Sequence, residues 1–118
     1  MKPDMTLISI ITRHEKLTEL RDALYAIDVL GMTVTPVEGC GTQLGYESTY
    51  RGVKDIIHVR PKVLVEIVVS TVPVDAVVKA AQSVLQTGKI GDGKIFVSKI
   101  DRVVRVRTGE EDLAALTN

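Results

Sequence analysis

The chain has 118 residues, with 15 Lys+Arg against 15 Asp+Glu for a formal net charge of zero, and it is 45% hydrophobic and 25% charged. That length fits one domain, the apolar content excludes intrinsic disorder, and the neutral balance argues against a sequence-independent nucleic-acid binder, which needs a basic surface to displace counterions. The aromatics are Tyr25, Tyr46, Tyr50 and Phe96, too few for a base-stacking platform.

Residues 5–12 (MTLISIIT) are rich in β-branched side chains and predict a buried strand. Across 13–28, Leu17, Leu20, Leu24 and Ile27 recur at spacings of three and four with Ala23 beside them, the apolar face of an amphipathic helix. Gly31 stands where such a helix would end. Residues 33–38 (TVTPVE) predict a second strand, and Pro36 places it at an edge or a bulge because proline removes a ladder donor. Periodicity then dissolves from 39 to about 60, with glycines at 39, 41 and 45. Long loops in compact domains are usually functional.

Residues 62–71 (KVLVEIVVST) predict a third strand, with Val63, Val65, Ile67 and Val69 on one face, Leu64 and Val68 on the other, and Glu66 among them. Pro73 fits the first position of a second helix running to about Gln86, whose buried face would be Val74, Val77, Val78, Ala81, Val84 and Leu85. A glycine loop (87–94, TGKIGDGK) leads to a fourth strand over 95–99. A short strand over 103–107 would turn Val104 and Val106 to the core, and an acidic tail follows with Glu110, Glu111 and Asp112. The order predicts an α+β chain, a ferredoxin-like βαββαβ sandwich in a single domain over 1–118. Two helices cover one sheet face, so the second apolar face is expected to be buried in an oligomer.

Three segments carry chemistry suited to anions. In Gly91-Asp92-Gly93-Lys94 the glycines let backbone amides approach an anion, and Lys89 and Lys94 bracket the loop with positive charge. Arg105 and Arg107, two apart, would project together, and their planar forks suit phosphate oxygens unless the acidic tail neutralises them. Gly39-Cys40-Gly41-Thr42-Gln43 opens the long loop, and Gln43 offers a carbonyl oxygen to a ligand or metal. Cys40 is the sole cysteine, and His14 and His58 lie far apart, so neither a disulfide framework nor a zinc site is expected. No Ser/His/Asp set or pair of catalytic carboxylates can be assembled. With no apolar run near the ~20 residues of a membrane span and no signal-like start, the expected location is cytoplasmic.

Four stretches, 31–52 (GMTVTPVEGCGTQLGYESTYRG), 61–69 (PKVLVEIVV), 87–97 (TGKIGDGKIFV) and 104–110 (VRVRTGE), together resemble the PII nitrogen-regulatory signal-transduction proteins, without gaps from about 8 to 110. The resemblance implies a homotrimer of ferredoxin-like subunits with ATP and ADP competing for inter-subunit clefts, and, in many members, 2-oxoglutarate bound with ATP and Mg2+. Residues 41–59 would be the T-loop that docks on targets, 86–94 the B-loop and 105–118 the C-terminal segment. It further implies that Ile11, Thr33 and Val68 line the adenine pocket, that Gly39, Gly41, Gly91, Asp92, Gly93 and Lys94 surround ribose and phosphates, and that Arg105 and Arg107 reach phosphates from the adjacent subunit. Lys62 would approach the γ-phosphate or 2-oxoglutarate, Gln43 would ligate Mg2+, and Tyr50 and Arg51 would meet the partner.

The departures bear on regulation. Thr42 replaces a phosphate-contacting basic residue, Leu44 a lysine near the 2-oxoglutarate site, and Glu38 and Cys40 the common Lys and Phe. Asp55 and Val53 occupy the positions of the uridylylated tyrosine and the phosphorylated serine, so regulation by ligand binding alone is expected. The expected partner is a membrane transporter, an ammonium channel or another transporter subunit, or else a metabolic enzyme, with membrane association arising through a transporter. The alternatives are a small ferredoxin-like enzyme acting on phosphate compounds and a structural trimer without ligand sensing.

Overall fold

The computed structural model describes residues 4–40, 48–50, 53–55 and 59–116. In chain order the elements are β1 (Thr6–Arg13), a 3-10 turn (His14–Lys16), α1 (Leu17–Tyr25), β2 (Thr33–Cys40), β3 (Ser48–Tyr50), β4 (Val53–Asp55), β5 (Val59–Val69), α2 (Val74–Leu85), β6 (Lys94–Lys99) and α3 (Leu113–Leu116). The main sheet has the order β2-β5-β1-β6 with every neighbouring pair antiparallel, and β3 and β4 form a separate two-stranded sheet. Pro36 accordingly sits on an edge strand, where its missing donor costs no ladder bond on the open side.

Period-two alternation decides which side of the sheet becomes core. Ile8, Ile10 and Thr12 of β1 and Val63, Val65, Ile67 and Val69 of β5 are buried on the side that the helices cover. Leu20 and Leu24 of α1 and Val77, Ala81 and Leu85 of α2 close the same cluster. Each fully buried Leu or Ile there contributes about 1.5–3 kcal/mol relative to exposure. The opposite side carries Leu7, Ser9, Ile11, Leu64, Glu66 and Val68, all only partly covered, and Phe96, which is opposite Ser9 and 52% exposed.

Several local expectations change. The first helix stops well before Gly31: Val29 N–H donates to the Leu24 carbonyl and Asp28 N–H to the Tyr25 carbonyl, while Asp28 itself takes φ 68°. Aspartate tolerates the left-handed conformation, and buried Val29 folds back on Leu24, so the Schellman closure forms without glycine. Pro73 lies one position outside α2, as its N-cap residue. The irregular stretch after β2 contains β3 and β4, three-residue strands too short to show a period. The strand expected over 103–107 is absent. Val104 makes only an isolated bridge with Glu111, and Val106 is 98% exposed rather than core-facing. Backbone bonds from Arg105 to Glu110, Gly109 to Arg105 and Asp112 to Val103 close this segment on itself, because the acidic tail competes with any sheet for its donors.

Candidate anion-binding site

Arg13 and Lys62 stand directly opposite each other at the ends of β1 and β5. Like charges so paired repel, and the pairing persists because acceptors from the glycine loop face both. Arg13 donates through Nη1 to the Asp92 carboxylate at 2.5 Å and through Nη2 to the Ile90 carbonyl at 2.8 Å. Lys62 Nζ donates to the Gly91 carbonyl at 2.7 Å, and the hydroxyl of buried Thr12 donates to the Asp92 carbonyl at 2.9 Å. Burial first, and then the Arg13 guanidinium, pushes the Lys62 ammonium below its ordinary value.

Three successive carbonyls, of Ile90, Gly91 and Asp92, therefore point toward the cations and Thr12. Among the described residues no peptide bond is cis, so each following N–H points the opposite way. Asp92 N–H closes a turn to the Lys89 carbonyl, which leaves the Gly91 and Gly93 N–H groups facing away from Arg13 and Lys62. Amides turned to one side of a glycine-bearing loop are donors suited to an anion.

Asp92 organises the loop from within. Its carboxylate accepts from Thr87 Oγ1 at 2.5 Å, Thr87 N at 2.6 Å and Gly88 N at 2.9 Å as well as from Arg13. The hydroxyl and amide of Thr87, followed by Arg13 and Gly88, hold this carboxyl well below the usual carboxylate range. With its folded value below the unfolded value of about 3.9, Asp92 contributes stability that is present above about pH 4 and lost as pH falls toward the folded value. Thermal melts should show Asp92→Asn less stable than the parent at pH 7, with the gap narrowing below about pH 4. A gap that stays constant from pH 7 to pH 2.5 would refute the contribution.

Of the residues singled out from sequence, Lys62, Gly39, Gly91, Asp92 and Gly93 come together. A Cβ at Gly39 would lie 3.1 Å from Lys62 Cγ, so the glycine makes room for the lysine stem. Ile11 pairs with Lys94 beside the loop. Val68 pairs with Leu7 and Thr33 with Glu66, so both lie toward the other end of the sheet. The C-terminal segment also starts at that other end, because β6 runs from Lys94 opposite Ile11 to Lys99 opposite Thr6. There Arg105 donates to Glu110 Oε1 at 2.8 Å and to the Ala115 carbonyl at 3.2 Å, while Arg107 is exposed. Arg102 pairs with Glu111 in the same turn. Gly41, Thr42, Gln43, Leu44 and Arg51 lie outside the described residues, and of Tyr50, Val53 and Asp55 only the strand backbone is described. Among the described residues no three His, Cys, Asp or Glu side chains gather to hold a metal, and no helix is long and apolar enough to cross a membrane.

Sequence reasoning missed Arg13 and Thr12. The available signal was alternation: Arg13 follows a buried run at the end of a strand, but its partner Asp92 lies 79 residues away.

The family model described as "Nitrogen regulatory protein P-II" matches residues 5–110. Nitrogen regulatory protein P-II 1 of Escherichia coli K12 is 48% identical over 112 residues, covering 95% of this chain and all of its own. Nitrogen regulatory protein GlnK of the same strain is 43% identical over the same shares. Among solved structures, a B. subtilis GlnK–ATP complex superposes with TM-score 0.81 at 40% identity, covering 98% of this chain and 99% of its own. Arabidopsis thaliana PII bound to citrate superposes with TM-score 0.77 at 33% identity, covering 96% and 92%. With nearly its whole length matched, this chain belongs to the nitrogen regulatory protein P-II family.

Proposed function

We propose that this protein is a nitrogen-regulatory signal transducer that binds ATP or ADP in clefts between the ferredoxin-like subunits of a homotrimer. The observation that carries the proposal is a division of labour along one sheet. The outward amides of the glycine loop lie at one end, while Arg105 lies beyond the other, where β6 hands over to the C-terminal segment. Strand geometry puts the five steps from Lys94 to Lys99 at roughly 17 Å. One chain therefore cannot close both groups on one small ligand, whereas a neighbouring copy brings its far end to the loop of the first. The partly covered apolar face with Leu7, Ile11, Leu64, Val68 and Phe96 supplies a surface for that association.

Within such a cleft Ile11 of one subunit, with Thr33 and Val68 of the next, would enclose the adenine. Gly39, Gly41, Thr42, Gly91, Asp92, Gly93 and Lys94 would border ribose and phosphates, with Arg105 and Arg107 entering from the neighbour. The ATP complex of the B. subtilis relative supports the choice of ligand. The citrate bound to the Arabidopsis relative supports a place for a small polycarboxylate such as 2-oxoglutarate, with Mg2+ held through Gln43. The T-loop over 41–59, with Tyr50 and Arg51, would then dock on a transporter or a metabolic enzyme. A nucleotide changes partner affinity only by interacting differently with two T-loop states, so the protein works by population shift and not by turnover.

Calorimetry with ATP, ADP and ATP-Mg2+ plus 2-oxoglutarate, alongside sedimentation equilibrium, tests this. The expected result is a trimer that takes up nucleotide saturably without sustained phosphate release. Rapid multiple-turnover hydrolysis would indicate an enzyme, and no binding at millimolar nucleotide would indicate a structural trimer.

A further inference from the structure

Arg13 is absent from every group of residues that the sequence put forward, yet it reaches the glycine loop from β1 with two hydrogen bonds where Lys62 reaches it with one. Its two terminal nitrogens reach two different acceptors, the Asp92 carboxylate and the Ile90 carbonyl. Through Asp92 it is coupled to Thr87 and Gly88, whose amides donate to the same carboxylate. A fork of fixed planar geometry spans two acceptors in a way a single ammonium cannot. The guanidinium also lies on the carbonyl side of the loop, away from the Gly91 and Gly93 amides, so it acts on the loop and not on a ligand held by them.

We propose that Arg13 is a positioning residue for the nucleotide site: its fork pins Ile90 and Asp92 to the end of β1 and so fixes the direction in which the Gly91 and Gly93 amides point. Lys62 and Thr12 do not suffice, because they hold only the Gly91 and Asp92 carbonyls and leave the Ile90 carbonyl and the Asp92 carboxylate to Arg13. A loop free to rotate its peptide planes presents donors and acceptors alternately to an anion and loses affinity to the cost of ordering them. This role rests on the nucleotide assignment above.

The test uses the full chain with Arg13→Ala, Arg13→Lys and, for comparison, Arg105→Ala. Two quantities are read: hydrogen exchange at the Thr87 and Gly88 amides without nucleotide, and ATP affinity by calorimetry. Arg13→Ala is expected to speed exchange at both amides and to weaken ATP binding, each by about tenfold or more. Arg13→Lys keeps the charge but not the fork, and should recover only part of each loss. Arg105→Ala should weaken ATP binding with exchange at 87 and 88 unchanged. Weaker binding by Arg13→Ala with unchanged exchange would make Arg13 a direct ligand contact and overturn the proposal. Faster exchange with unchanged affinity would reduce it to a structural pin and overturn it equally. Should Arg13→Ala not fold, Arg13→Lys decides: parental exchange and affinity would refute the need for a fork. Absence of ATP binding by the unsubstituted protein would instead remove the nucleotide assignment itself, an outcome distinct from any of these.

Discussion

Gly93→Ala should destabilise this protein by about 3 kcal/mol or more and abolish the order of its glycine loop. A Cβ at this position would lie 1.8 Å from the Ile11 carbonyl oxygen and 2.9 Å from the Ile11 carbonyl carbon. Both obstructing atoms are backbone, in a strand paired on both sides with β5 and β6, so neither can move aside. The residue also has φ 108°, a conformation strained for any L side chain. Relief would require β6 to detach from β1 at the Ile11–Lys94 pair, which is where the loop is anchored. Denaturant unfolding followed by circular dichroism should register the full loss, with a fall in Tm of more than about 10 °C. Gly31→Ala is the control: nothing lies within 4 Å of a Cβ there, so the change should stay within about 0.5 kcal/mol. Equal stability of the two variants would refute the packing constraint.

Removing Arg105 and Arg107 together should weaken ATP binding by about 10²- to 10⁴-fold, at about 1.5–3 kcal/mol for each charge-assisted bond lost. The two arginines are not equivalent. Arg105 is held through one nitrogen by the Glu110 carboxylate and through the other by the Ala115 carbonyl, donors that a phosphate would otherwise take, whereas Arg107 is exposed. Arg107→Ala alone should therefore show its loss directly. Arg105→Ala combines a lost ligand contact with release of the turn over 103–112, so its melting temperature must be compared in parallel. Affinity unchanged in the double variant by calorimetry would refute the assignment of phosphate contacts to these residues.

Much of the fold was legible from periodicity. The alternation in Val63, Val65, Ile67 and Val69 predicts one buried face of β5, and all four are buried. The three-four spacing of Leu17, Leu20 and Leu24 predicts the core stripe of α1. Where local pattern misled, a competing contact won. Val104 and Val106 alternate like a strand, but Val104 makes only an isolated bridge with Glu111 and the acidic tail binds the backbone instead. Gly31 looks like a helix stop, but Asp28 adopts the left-handed conformation three residues earlier, where buried Val29 can reach Leu24. The site was half legible: the loop Gly91-Asp92-Gly93-Lys94 is recognisable as one that suits an anion and Lys62 follows from the family resemblance, but nothing near Arg13 in sequence marks it as their support.

From sequence alone, the neutral charge balance argued against a sequence-independent nucleic-acid binder, and the motif over 87–97 indicated a family with a small polyanion as ligand. Alternation, helical spacing and glycine content are properties of neighbours in the chain, so they can be read without coordinates. Only the tertiary structure decided which way the loop faces. Pairing β1 with both β5 and β6 sets Arg13 against Lys62 and brings the loop across them, and those two cations together with the Thr12 hydroxyl draw three carbonyls inward. The same strand order places Arg105 at the far end of the sheet from that loop. Contacts across 29 and 79 residues of chain carry these outcomes, and the free energy that selects them comes from packing and desolvation summed over the whole sheet.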